Sequence, residues 1–223
     1  GAQRDLHSFP TRRSPDLATN TAQAVAGSTS ALLRFARTPL LARAPAPWAF
    51  GGGLLGAGLG AGLVSLIPNE QLRPLVLALL VGAAVLVVGA RPRPRTAAVT
   101  RPRGWSLLLG FLIGGYDGFF GPGTGTLLIL AYVLLWQQAY DAASANAKVV
   151  NCASNWGALI LFAATGTTIH GDKALVMLAG QAAGAWLGAH LVVRRGQGLV
   201  RWVAVLISLA MAGRVAWLHF GHG

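Results

Sequence analysis

The sequence predicts an all-α polytopic membrane protein made of two related helical repeats. Of its 223 residues, 54% are hydrophobic and 11% carry a charge, whereas about a quarter of the residues of a soluble domain are usually charged. Several apolar stretches are long enough to cross a bilayer, because about 20 helical residues span a hydrocarbon core of roughly 30 Å. These stretches also repeat one another in order along the chain. Together the observations exclude a disordered chain and disfavour an ordinary soluble globule.

Seven apolar segments follow residue 17, and we label them A to G in chain order. Segments B, C, F and G have the length of single spans, and A is only moderately apolar. Segment D is too long for one span, and the run GGYDGFFGPGTG at 114–125 interrupts it in the middle. The predicted bounds are A, 17–36; B, 47–66; C, 72–90; D, 105–137; E, 141–165; F, 173–193; and G, 198–219.

The first 17 residues differ from the rest of the chain. They are polar, carry five charges and show no amphipathic period, and no apolar region follows their basic residues as it would in a signal peptide. The stretch DLHSFPTRRSPDL looks like a translated sequencing adapter, so we expect residues 1–17 to be non-native or disordered. The expected organisation is then an incomplete first transmembrane repeat (18–90), an Arg/Pro-rich cytoplasmic loop (91–104) and a second transmembrane repeat (105–220).

An internal repeat relates segments A-B-C to segments E-F-G. Two blocks of residues match in the same order, one at an offset of 126 residues and the other at 128. The nearly equal offsets disfavour a chance match between Gly- and Ala-rich helices. The GxxxG pairs that recur in B and F let helix backbones approach closely in lipid. Because D precedes E, a D-like segment is expected before A, where the adapter-like sequence stands instead. The matches are Asn20, Ser28 and Leu33 with Asn146, Ser154 and Leu159, and Gly56, Leu59, Gly60, Ala61, Leu63, Val64 and Arg73 with Gly184, Leu187, Gly188, Ala189, Leu191, Val192 and Arg201.

The positive charge marks the predicted cytoplasmic loops. The chain has 18 basic and 6 acidic residues and a net charge of +12. No aromatic residues interleave with the arginine clusters, which disfavours nucleic-acid binding and fits the positive-inside rule. If all clusters face the cytoplasm, segment D must enter the membrane and return as a re-entrant hairpin, and the two repeats have opposite orientations, as in many secondary transporters. The clusters are Arg34, Arg37 and Arg43; Arg91, Arg93, Arg95, Arg101 and Arg103; and Arg194, Arg195 and Arg201.

The break in segment D is a candidate binding site. Non-helical backbone inside a membrane persists only where protein buries it or where it lines a wet cavity. Gly121, Gly123 and Gly125 leave room for a ligand near the backbone, and Pro122 suits the start of a helix. The free N–H groups of the half-helix that follows favour an anion. A plain helix hinge is the alternative interpretation.

Segment E carries a polar face in an otherwise small and apolar stretch. Lys148, Asn151 and Asn155 follow the spacing i, i+3, i+7 and share one helix face. A lysine inside a membrane is costly and is therefore a functional candidate, but a lysine near the start of E can also snorkel to the interface. Asp117, the only acid inside an apolar segment, could pair with Lys148, relay protons or cap a half-helix.

The sequence indicates neither an enzyme nor a metal site. The histidines lack metal-ligand spacing, and no G-x-S-x-G motif occurs. Cys152 is the single cysteine, which excludes an intramolecular disulfide and a Cys-based metal cluster. We expect Cys152 to be a small helix-packing residue, and we predict no cofactor.

The stretches GFLIGGYDGFFGPGTGTLLIL at 110–130 and SANAKVVNCASNWGAL at 144–159 resemble the sulfite exporter TauE/SafE family of membrane permeases, which are built from two four-segment repeats. GAGLGAGLV at 56–64 and GAWLGAHLV at 184–192 resemble its paired element, and ATNTAQAVAGSTSALLRF at 18–35 resembles the end of its first conserved unit. The resemblance covers nearly everything after residue 17. It implies export or uptake of small sulfur-containing anions, such as sulfite or organosulfonates, across a bacterial inner membrane.

The resemblance and the residue pattern together predict one substrate-binding site between the break in D and segments A and E. The family unit that would precede Ala18 is absent, and Thr21, Ala22 and Gln23 stand where family members carry a lysine. The predicted substrate-binding residues are Asn20, Gln23, Asp117, Gly121, Gly123, Thr124, Gly125, Asn146, Lys148, Asn151, Ser154 and Asn155.

The predicted function is secondary transport of an anion, with one repeat rocking against the other. The expected partners are a small anionic solute and the lipid bilayer, without nucleic acid, and homo-oligomerisation is left open. Two other functions stay open at this point. One is a passive anion channel, whose flux would neither saturate nor respond to a proton gradient, and the other is a membrane scaffold that is inactive in transport.

Overall fold

The computed structural model describes residues 15–64, 66–67, 99–121, 123–165 and 171–195 of the chain. Within these ranges the chain forms six α-helices and no strand, so the predicted all-α fold is confirmed for the part that the structure describes. We number the helices in chain order. They are α1 (Pro15–Ala36), α2 (Ala46–Val64), α3 (Arg103–Phe119), α4 (Thr124–Leu135), α5 (Tyr140–Ala164) and α6 (Gly171–Arg195).

The helix bounds follow the apolar segments of the sequence. Segments A, B, E and F correspond to α1, α2, α5 and α6, and each observed end lies within two residues of the predicted one. Segments C and G lie outside the described residues. Among the described helices, three are long and apolar enough to cross a membrane: Ala46–Val64, Tyr140–Ala164 and Leu175–Arg195. Helix α4, with 12 residues, is apolar but shorter.

Segment D forms two helices, and the gap between them is shorter than the sequence suggested. Helix α3 continues to Phe119 and α4 begins at Thr124. The expectation that residues 114–119 belong to the break is therefore wrong, and Asp117 lies in the last turn of α3. The turn itself uses Gly121 and Gly123, both with φ of 82°, a left-handed conformation that glycine adopts without steric cost.

Glycines 114, 115 and 118 stay helical because they lie against the backbone of α2. A Cβ atom built on Gly114 would lie 2.6 Å from the carbonyl oxygen of Gly53, and one built on Gly56 would collide with the carbonyl oxygen of Phe111. The close approach predicted for the Gly56/Gly60 pair is therefore confirmed. At Gly184 and Gly188, the equivalent positions on α6, a Cβ would meet nothing within 4 Å in the described part of the chain.

The start of α3 and the end of α4 lie at the same end of the helix bundle. The Val99 N–H donates to the Trp136 carbonyl at 2.9 Å, and the Arg101 Nε donates to the Leu135 carbonyl at 2.9 Å. Because these bonds join the residue ranges that flank the two helices, α3 leads away from this end and α4 leads back to it.

Three further parts of the chain meet at this same end: the loop that connects α1 to α2, the start of α5, and the end of α6. The Ala42 N–H donates to Asn146 Oδ1 at 2.9 Å, and Arg34 Nε donates to His190 Nδ1 at 3.3 Å. We call this the basic end of the bundle, comprising residues 34–43, 99–103, 135–142 and 190–195. Helices α1 and α6 therefore run toward the basic end, whereas α2 and α5 run away from it.

Helix α1 packs on α6 and α2 packs on α5, so the first helix of each predicted repeat lies against the second helix of the other. Gly27 of α1 lies against α6, where an added Cβ would be 2.6 Å from Gln181 Cγ, and Gly53 of α2 lies against α5, where an added Cβ would be 3.0 Å from Ala153 Cβ. The repeat offsets of 126 and 128 relate Gly27 to Ala153 and Gly53 to Gln181. The two contacts are thus equivalent positions in a crosswise arrangement.

Candidate functional site

A polar cluster lies where α1, α3 and α5 meet, between helix faces that are otherwise apolar. We call it the polar crossing. Half of its members lie on α5, two lie on α1, and α3 and α4 contribute one each. Its members are Ser28, Thr29, Asp117, Thr124, Lys148, Asn151, Ser154 and Asn155.

Asp117 is the acidic group of the polar crossing. The Ser154 hydroxyl donates to its carboxylate across the α3–α5 interface. The Thr124 hydroxyl also lies within hydrogen-bonding reach of Asp117 and 2.5 Å from the Gly121 carbonyl oxygen. Since a hydroxyl carries one hydrogen, Thr124 can donate to only one of these two acceptors at a time. Asp117 therefore joins the end of α3, the start of α4 and the middle of α5.

Lys148 is the basic group of the polar crossing. It lies eight residues into α5, about 12 Å along the helix from Tyr140. Its ammonium donates to Asn151 Oδ1 at 3.4 Å, and it acts electrostatically on Asp117 without forming a direct ion pair between these two described residues. An ammonium has three donors, so Lys148 can bind a further acceptor.

Helix α1 closes the polar crossing from the other side. Asn155 Nδ2 donates to Ser28 Oγ at 3.3 Å and to the Asn151 carbonyl at 2.7 Å. Thr29 Oγ1 lies 3.4 Å from Cys152 Sγ and accepts from Trp156 Nε1 at 3.2 Å. Cys152 is 2% exposed, which agrees with the predicted packing role. Sequence reasoning missed Thr29, although the offset of 126 pairs it with Asn155.

The glycine turn lies beside Asp117 and opens toward the start of α4. A Cβ on Gly121 would be 3.5 Å from the Asp117 carbonyl oxygen, whereas Cβ atoms on Gly123 and Gly125 would meet nothing within 4 Å among the described residues. Gly123 is the N-cap of α4, and no side chain caps that helix. The start of α4 therefore leaves space beside its glycines among the described residues, at the end of the helix that favours negative charge.

Apart from the glycines of the turn, three predicted site residues lie outside the polar crossing. Asn20 and Gln23 are near the start of α1, where the Gln23 amide donates to Asn20 Oδ1. Asn146 is 4% exposed and lies toward the basic end. It accepts from the Ala42 N–H and donates to Gln138 Oε1 and to the Ala142 carbonyl, each at 2.9 Å. Asn146 therefore ties two loops to α5.

We expect Asn146→Ala to lower the free energy of unfolding by about 2–3 kcal/mol, because three hydrogen bonds are lost and the Ala42 N–H is left unsatisfied. The measurement is thermal or denaturant unfolding of the purified protein in detergent. Asn20→Ala is the matched control, since Asn20 is the repeat-related asparagine and is exposed. Equal losses in the two variants would contradict the structural role of Asn146.

Membrane-length helices around an internal polar cluster are typical of multi-pass membrane transport proteins. In the described ranges, no group of three or more His, Cys, Asp or Glu side chains is placed to hold a metal ion. The chain belongs to the sulfite exporter TauE/SafE family, whose sequence profile matches residues 15–215.

Curated relatives carry the same assignment to membrane transport. The chain is 34% identical over 214 residues to "Probable membrane transporter protein YfcA" of Escherichia coli K12, covering 93% of this chain and 77% of the relative. It is 35% identical over 217 residues to a "Probable membrane transporter protein" of Haemophilus influenzae, covering 92% and 82%. "Probable membrane transporter protein ORF9" of a Sinorhizobium species is 34% identical over 204 residues, covering 89% and 77%. No solved structure matches the chain.

Proposed function

We propose that this protein is a secondary transporter that moves small sulfur-containing anions across the bacterial inner membrane. The observation that carries the proposal is Lys148. It is the one basic residue in the described helices that lies away from a helix end, and it faces the polar crossing through its bond to Asn151. A half-buried cation with unused donors beside an uncapped helix N-terminus is suited to an anion.

The anion in this proposal binds between Lys148 and the start of α4. Sulfite and sulfonate groups carry three oxygen acceptors, which match the remaining Lys148 donors, the Asn151 amide and the first backbone N–H groups of α4. The open space at Gly123 and Gly125 lets an oxyanion approach the backbone. Asn20 and Gln23 lie near the start of α1, and the Asn146 amide is already occupied by partners in the loops, so we assign these residues no direct role in this binding step.

The arrangement of the helices supports alternating access. Helix α1 runs toward the basic end whereas its repeat partner α5 runs away from it, and α2 and α6 are opposed in the same way. The α1–α6 and α2–α5 contacts occupy equivalent positions in the predicted repeat. Two repeats in opposite orientation around a central site can exchange their inward-open and outward-open conformations. The return of α4 to the basic end supports the re-entrant hairpin in segment D, which this opposite orientation requires.

The experiment is a thermal-stability screen of the purified protein against sulfite, sulfate, thiosulfate, taurine and sulfoacetate, with chloride at matched ionic strength as the control. A true ligand stabilises by RT ln(1 + [L]/Kd), which is about 2.7 kcal/mol at a hundred times Kd. We expect saturable stabilisation by at least one sulfur anion and none by chloride. The same small shift for every salt would favour a scaffold without a solute site and would contradict the proposal.

A further inference from the structure

A second positively charged site lies at the basic end, between α1 and α6 and outside the polar crossing. Arg34 lies in the last turn of α1 and donates through Nε to His190 of α6 at 3.3 Å. The Arg37 guanidinium carbon lies 6.0 Å from the centroid of the Trp186 ring. Arg194 follows His190 by four residues, about one helical turn nearer the end of α6, and its side chain is exposed. Three arginines therefore lie at the same end of the α1–α6 interface.

This site has an excess of donors and of positive charge. The Arg34 bond to His190 uses only Nε, and neither Arg37 nor Arg194 has an ion-pair partner among the described residues. Asp141, a carboxylate at the same end, accepts from the N–H of its own neighbour Ala142 at 2.8 Å. Like charges near hydrocarbon repel more strongly than in water. An anion that accepts several hydrogen bonds would relieve this repulsion.

A phosphate group is the anion that fits these donors. Guanidinium groups bind phosphate oxygens in a two-pronged geometry that strengthens the interaction and fixes its direction. Basic pockets between membrane helices on the cytoplasmic side bind anionic lipid headgroups in this way. The apolar surface beside the arginines is also open, because Leu187 and Leu191 of α6 are 61% and 46% exposed. Acyl chains would lie against that surface.

We propose that the interface between the ends of α1 and α6 binds the phosphate headgroup of an anionic phospholipid. Arg34, Arg37 and Arg194 hold the phosphate, and the exposed leucines of α6 contact the acyl chains. The buried side chains Ala31, Phe35 and Ala189 form a packed base beneath the arginines. The lipid thereby joins a helix of the first repeat to a helix of the second. This site is independent of the anion site at Lys148.

The experiment titrates the purified chain in a nonionic detergent with phosphatidylglycerol, with phosphatidylcholine of the same acyl chains, and with inorganic phosphate. Native mass spectrometry counts the bound molecules, and thermal unfolding reports the stabilisation. We expect saturable binding of phosphatidylglycerol and at least tenfold weaker binding of phosphatidylcholine. Arg37→Gln and Arg194→Gln should each weaken phosphatidylglycerol binding about fivefold. Both residues are exposed, so their replacement should leave the fold intact.

Arg103→Gln is the matched control, because Arg103 is an exposed arginine at the same end of the bundle and its replacement changes the net charge equally. We expect a change below twofold in this variant. An equal loss in Arg103→Gln would show diffuse attraction to a positive surface and would overturn the proposal. Equal binding of the two lipids would also overturn it, as would competition by inorganic phosphate at the lipid concentration, which would identify a site for the free ion.

Discussion

Lys148→Ala is expected to abolish anion-dependent stabilisation and to reduce anion flux in proteoliposomes to the level of empty vesicles. A hydrogen bond to a charged group contributes about 1.5–3 kcal/mol, which corresponds to roughly 10- to 150-fold in Kd. Lys148 is the one basic residue that the structure brings to the polar crossing, through its bond to Asn151. Its loss also leaves Asp117 as the uncompensated charge of the cluster, which disfavours an anion further.

Two other variants separate the loss of charge from the loss of packing. Lys148→Met keeps much of the side-chain volume and should lose anion binding as completely as Lys148→Ala. Lys173→Ala removes the only other lysine of the sequence and should retain the response. If Lys148→Met binds the anion with unchanged affinity while remaining folded, Lys148 is not part of the binding site and the proposed mechanism fails.

Gly56→Ala should cause a large loss of stability. The new Cβ would collide with the Phe111 carbonyl oxygen and approach Gly115 N at 2.8 Å, and neither backbone atom can move without separating α2 from α3. Overpacking of this kind costs about 3 kcal/mol. The measurement is the unfolding temperature of the detergent-purified protein, together with the yield of folded protein.

Gly58→Ala provides the control on the same helix. A Cβ at Gly58 would meet nothing within 4 Å of the described chain, and the substitution is otherwise identical. We expect Gly58→Ala to be neutral or slightly stabilising, because alanine has the higher helix propensity. Equal effects of the two substitutions would show that contact between α2 and α3 does not limit stability.

The glycines of segment D show why the sequence alone could locate the break in this segment only in part. The sequence has glycine at 114, 115, 118, 121 and 123, and composition alone does not separate a glycine that ends a helix from one that packs a helix. The residues at 121 and 123 adopt positive φ. Those at 114 and 118 face the backbone of α2, a contact between residues far apart in the sequence.

For the polar residues, too, the sequence predicted some contacts and not others. Helical spacing alone placed Lys148 and Asn151 on one face, and their hydrogen bond agrees with it. It did not reveal that Asp117 bonds with Ser154. Asn146 looked like Lys148 in the sequence, yet its amide is occupied by Ala42 and Gln138. Whether an asparagine meets a ligand or a loop depends on its partner, which for Asn146 is 104 residues away at Ala42, and local periodicity carries no information on such a partner.

The sequence by itself determined that the chain is a helical membrane protein, where four of its helices begin and end, and which family it belongs to. Those properties follow from apolar length, periodicity and local motifs, each contained in a short window of residues. Only the tertiary structure decided where the break in segment D begins, which polar side chains meet at the polar crossing, and that arginines from α1 and α6 converge at the basic end. These features require residues from distant segments to lie within a few ångströms, and packing between helices sets those distances.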